Sequence, residues 1–157
     1  MLRKITRKQS PARQVQGAFA IVASKYNARY VNSMVRAARA ELRRAGVKNI
    51  RVVRVPGAFE IPVVAARLAA SAAPPLSALI CLGVVIRGET AHAQLIGEAV
   101  SHALAQIQVQ YQIPTIHEVL LLENQDQARA RCLDPRHNRG LEAAQTALAM
   151  ARLMRQL

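Results

Sequence analysis

The sequence contains no tryptophan, two phenylalanines and three tyrosines, an aromatic content of 3%. That scarcity excludes the aromatic stacking series with which single-stranded nucleic acid is usually read. Two cysteines are too few for a disulfide framework or a cysteine zinc cluster, so a reduced, cytoplasmic chain is expected. No apolar run approaches the ~20 residues that span a bilayer. The N-terminus lacks the apolar segment of a secretory signal; "MLRKITRKQS" has the basic, acid-free character of an organelle transit peptide, but a folded pattern begins soon after it. Low-complexity stretches and internal repeats are absent as well, and 157 residues with 52% apolar content predict one globular domain.

Acidic residues are also few, nine against 22 Lys and Arg, and the imbalance is local. Residues 1–54 hold 14 of the basic residues and one acid, Glu41, whereas the remainder is neutral overall. Nucleic acid is one partner for such a charge. A solvated helix face following a loose basic arm is the favoured account, since no nucleic-acid motif accompanies the charge. The expected division is therefore an arm over 1–16 and a single domain over 17–157.

Along that domain, short apolar runs alternate with helical stripes. "AFAIVAS" (18–24) reads as a strand, and Val31, Met34, Val35, Ala38 and Leu42 recur at helical spacing before a stop at Gly46. "IRVVRV" (50–55) is a second strand, "PGAFEIP" (56–62) a stiff loop, and a helix over 62–73 ends at Pro74-Pro75. "ALICLGVVI" (78–86) is apolar on both faces, as a central parallel strand should be. A stripe from Leu95 to Ile107, a strand at 115–123, a short helix in "QDQARARC" and a last helix from Leu141 complete the chain. Strand and helix thus alternate four times, predicting a parallel sheet with helices on both faces.

In such sheets ligands bind beyond the carboxyl ends of the strands. Three strands end there in chemically suggestive residues: Ser24 to Asn27, Pro56 to Glu60, and Arg87 to His92. In "GVVIRGETAH" Gly88 would allow a tight turn and close approach of a ligand. Thr90 suits an N-cap or ligand donor, and a helix N-terminus favours an anion such as phosphate. His92 falls in the first turn, where an imidazole can transfer protons near neutrality. Tyr26 or Phe59 could face a planar ring and Glu60 could accept from a polyol, while Arg131 and Arg139 are candidate phosphate ligands. Each also has a purely structural reading as cap, packing residue or solvated charge.

Taken in order, "IVASKYN", "VRVPGAFEIP", "GVVIRGETAH", "ENQDQARAR" and "HNRGLEAA" resemble the lumazine synthase family over roughly residues 17–155. The resemblance implies a flavodoxin-like three-layer α/β/α sandwich with a four-stranded parallel sheet. It also implies condensation of 5-amino-6-(D-ribitylamino)uracil with 3,4-dihydroxy-2-butanone 4-phosphate to 6,7-dimethyl-8-ribityllumazine, with release of phosphate and water and without metal or cofactor. By that resemblance Tyr26 would stack on the pyrimidine with Asn27 beside it. Ala58, Phe59 and Glu60 would hold the ribityl chain, and the backbone of Val84, Val85 and Ile86 would read the uracil edge. Gly88, Glu89 and Thr90 would form the phosphate turn, His92 would move protons, and Arg131 would reach the phosphate from a neighbouring subunit.

The sequence departs from the family pattern at three places. Ala93 and Gln94 follow the histidine where Phe and an acid are usual, His117 replaces a pocket Phe, and Leu133-Asp134-Pro135 replaces a Gly-x-Lys. The resemblance implies a homopentamer with sites between subunits, or an icosahedral shell of pentamers. A non-catalytic homologue that binds a lumazine or flavin is the alternative.

Overall fold

The computed structural model describes residues 4–5 and 15–157. Most of the 1–16 arm therefore lies outside the described residues. Its last part includes Val15, which is buried and donates its N–H to the Ala45 carbonyl.

Four strands, β1 (Ala18–Ser24), β2 (Asn49–Val55), β3 (Leu76–Ile86) and β4 (Thr115–Leu122), form one all-parallel sheet in the order β2-β1-β3-β4. The inner strands alternate between two cores. Phe19, Ile21 and Ala23 of β1, with Ile80, Leu82 and Val84 of β3, pack under α1 (Ala28–Arg44), α4 (Gln125–Cys132) and α5 (Arg139–Met154). Ala20 and Val22, with Leu79 and Cys81, pack under α2 (Ile61–Ser71) and α3 (His92–Tyr111). Burial on both faces is why the central strands are continuously apolar. The parallel sheet with helices on both faces expected from the alternation is observed, and it has the three-layer α/β/α, flavodoxin-like form implied by the family resemblance.

Local chemistry explains where the elements stop. Asn27 enters α1 in the left-handed region (φ 56°), which Asn tolerates better than most residues. Asn138 caps α5, its Oδ1 accepting from Gly140 N–H at 2.9 Å and its Nδ2 donating to the Cys132 carbonyl at 2.7 Å. Gly140 lies where α5 meets α1: a Cβ there would come within 2.0 Å of the Met34 carbonyl oxygen. Both cysteines are buried and free, Cys81 in β3 and Cys132 at the end of α4.

Some sequence boundaries shift. The loop expected over 56–62 is a 3-10 turn at Ala58–Glu60 running directly into α2. Glu123 lies past the end of β4, where it accepts from Arg87. α5 stops at Met154, leaving Leu157 exposed instead of continuing the apolar side. The basic face is carried mainly by α1 and β2, and its one acid, Glu41, is buried and paired with Arg44 at 2.6 Å.

Candidate functional site

Strand register creates the site. β1 ends its pairing with β3 at Ala23↔Leu82, whereas β4 follows β3 to Ile86↔Leu122. The last four residues of β3 thus keep a partner on one side only, and their peptide groups on the other side face open space. One of these is already used: Asn27 Nδ2 donates to the Val84 carbonyl at 2.7 Å. Strand alternation turns the Ile86 peptide the same way and the Val85 peptide toward β4. Only part of the Val84–Ile86 backbone is therefore free to read a ligand.

A cleft of about 1040 Å³ opens over this strand end. Of the residues singled out by sequence, Tyr26, Asn27, Ala58, Phe59, Glu60, Val84, Val85, Ile86, Gly88, Thr90 and His92 all line it. They form two walls. Tyr26 and Asn27, from the β1–α1 loop, stand on the side of the α1/α4/α5 layer. The 3-10 turn and the start of α3 stand on the side of the α2/α3 layer. Tyr26 is 74% exposed and Phe59 62% exposed, so both rings remain available to a ligand.

Several details differ from the sequence reading. Thr90 is not the N-cap of α3; Ala91 is, and Thr90 Oγ1 accepts a long 3.3 Å bond from His92 N–H. The first turn of α3 has no acidic residue and no N-cap side-chain bond, leaving its positive end uncompensated. Gly88 is not held in a glycine-only conformation, and a Cβ there would meet nothing within 4 Å. The tight turn thus does not need the glycine, and close approach of a ligand is what remains of its argument. Glu60 Oε2 accepts from Gly57 N–H at 2.9 Å, which fixes its carboxylate at the cleft mouth. Arg87 is a brace, donating to Glu123 at 3.1 Å and to Gln94 at 3.0 Å.

Glu89, His117 and Arg131 are not among the cleft-lining residues. Glu89 points to solvent. His117 is exposed on the α3-facing side of β4, where its Nδ1 accepts from Val119 N–H at 3.1 Å and its Nε2 meets Ser101 Oγ of α3 at 2.8 Å. That pattern selects the neutral Nε2–H tautomer, and desolvation lowers the ring's pKa below the ordinary imidazole value. Arg131 sits on α4 without an ion-pair partner among the described residues, while Arg139 pairs with Glu142. Sequence reasoning had passed over Leu95, Ile96, Ala99 and Gln125 as lining residues. Helical periodicity from the α3 N-terminus could have found the first three; nothing local marks Gln125.

Among the described residues no group of three or more His, Cys, Asp or Glu is placed to hold a metal ion. Nor is any described helix long and apolar enough to cross a membrane.

Comparison with known proteins agrees with this geometry. A family model described as 6,7-dimethyl-8-ribityllumazine synthase matches residues 16–155. A protein of that name from Stenotrophomonas maltophilia is 42% identical over 141 residues, covering 88% of this chain and 90% of its own. One from Xanthomonas euvesicatoria is 38% identical over 152 residues, covering 96% and 97%. Another, from Acidovorax ebreus, is 40% identical over 139 residues, covering 87% and 86%. With matches of this extent lying across the same strand ends that build the cleft, the chain belongs to the 6,7-dimethyl-8-ribityllumazine synthase family.

Proposed function

We propose that the chain is a transferase of riboflavin biosynthesis. It condenses 5-amino-6-(D-ribitylamino)uracil with 3,4-dihydroxy-2-butanone 4-phosphate to 6,7-dimethyl-8-ribityllumazine, releasing phosphate and water. The observation that carries the reading is the two-walled cleft: an exposed tyrosine on one side and an uncompensated helix N-terminus with a histidine on the other. The pyrimidine ring stacks on Tyr26, and its edge meets the unpaired peptide groups at the end of β3. Its ribityl chain runs toward Ala58, Phe59 and Glu60, whose carboxylate is held ready to accept from hydroxyls. The phosphate of the second substrate sits over Gly88 and the start of α3. There His92 relays protons as the amine adds to the ketone and phosphate departs.

The cleft is incomplete in one subunit. Leu95 and Val63 on the α2/α3 side are 63% and 69% exposed, an apolar surface beside the open mouth. Arg131, without an ion-pair partner among the described residues, lies on another element and outside the cleft. A homo-oligomer, as a pentamer, covers the first and brings the second to a neighbour's phosphate. Leu133-Asp134-Pro135 then shapes that contact, since Asp134 accepts from Arg136 and His137 within the turn.

Incubating the purified protein with both substrates and following lumazine fluorescence tests the reading. Product should form without added metal. Binding of the pyrimidine without any turnover would instead support a non-catalytic lumazine- or flavin-binding homologue.

A further inference from the structure

Gln125 opens α4 immediately after the cap Asn124, whose Oδ1 accepts from Gln127 N–H at 3.0 Å. It lines the cleft on the wall that carries Tyr26 and Asn27. Its side-chain oxygen accepts from the hydroxyl of Tyr30, a residue buried at 5% exposure in the first turn of α1. A carboxamide has one acceptor end and one donor end. With the acceptor end taking the proton of a buried phenol, the donor end is the one presented to the cleft; a flipped amide could still donate to the phenol oxygen but would leave the Tyr30 proton without this acceptor. In this orientation Gln125 offers its donor end to the ligand.

We propose that Gln125 is a specificity-determining residue that donates a hydrogen bond to a ring carbonyl oxygen of the pyrimidinedione, and that Tyr30 is the positioning residue that orients it. This rests on the substrate reading given above. The wall decides which part of the substrate is met. Gln125 shares its side of the cleft with the ring-stacking Tyr26, whereas Glu60, Thr90 and His92 belong to the opposite side. Asn27 is oriented by the same device, because its Nδ2 is held by the Val84 carbonyl and its oxygen is the free end. A donor from Gln125 and an acceptor from Asn27 on one wall match the alternating C=O and N–H groups of a cyclic imide edge. They do not match a phosphate, which offers acceptors only.

Three variants test this with steady-state kinetics in each substrate and calorimetric binding of the pyrimidine. Gln125→Glu preserves size and the bond from Tyr30, because a carboxylate accepts from a phenol, and removes only the donor. It should raise the Michaelis constant and dissociation constant for the pyrimidine about tenfold or more, through the lost bond and the carboxylate facing a carbonyl. The constant for the phosphorylated substrate and the melting temperature should not change. Lowering the pH from 8 toward 5 should partly restore binding as the new carboxyl gains a donating proton. Gln125→Ala should show the same split without the pH rescue. Tyr30→Phe, which frees the amide to rotate, should weaken pyrimidine binding about two- to fivefold. Wild-type affinity in Gln125→Glu, or equal loss for both substrates, overturns the assignment of Gln125. Full affinity in Tyr30→Phe overturns that of Tyr30. A wild-type protein that forms no lumazine would instead defeat the function proposed above, so the two failures are distinct.

Discussion

Glu118 gives a stability prediction that can be followed through pH. It lies on β4 on the side facing the α1/α4/α5 layer, half-buried, and no hydrogen bond or ion pair holds it among the described residues. Burial pushes its carboxyl up from 4.5 to about 7; Arg139 opposes the shift, but that guanidinium is committed to Glu142, whose own charge adds to it. Between about pH 4.5 and 7 the folded chain therefore binds more protons than the unfolded one, so stability falls as pH rises. The full shift corresponds to about 3 kcal/mol. Because the side chain retains some contact with water, screening reduces this to about 1–2 kcal/mol. Glu118→Gln removes the charge while keeping the shape. Its melting temperature should exceed that of the parent by about 3–6 °C at pH 8, and the two should converge toward pH 4.5. The assay is thermal unfolding at several pH values at fixed protein concentration. A difference that stays constant from pH 4.5 to 8 would refute the argument.

Gly140→Ala should be the most damaging conservative change in the fold, costing about 3 kcal/mol or more, because the clash is with Met34 backbone and not with a movable side chain; chemical denaturation measures it. His92→Ala should slow turnover about 10–100-fold with little change in substrate affinity, as expected for loss of one proton-transfer group. Full activity across pH 5–8 would assign proton transfer elsewhere. Arg131→Ala should raise the Michaelis constant for the phosphorylated substrate roughly 10–150-fold, the equivalent of about 1.5–3 kcal/mol, while sparing the pyrimidine, and mixing it with a His92→Ala protein should recover part of the activity if Arg131 serves a neighbour's site.

The pattern of the chain determined the architecture on its own, because burial of both sheet faces leaves a continuous apolar signature in β1 and β3 and a helical stripe in α1. Rim residues were legible for the same reason: a parallel sheet sends every strand's carboxyl end to one side, so Tyr26, Glu60 and His92 had to converge. Orientation was not legible. No local rule says that Asn27 spends its amide nitrogen on Val84, that Thr90 yields the cap position to Ala91, or that Arg87 braces Glu123 and Gln94. The Asn27 and Glu123 pairings depend on how far β3 outruns β1 and on which groups then face each other across 57 and 36 residues of chain. Gln125 shows the limit best. It sits in a polar stretch with no periodicity, and only the packing of α4 against α1 sets it against the Tyr30 hydroxyl, 95 residues away in sequence, at the wall of the cleft.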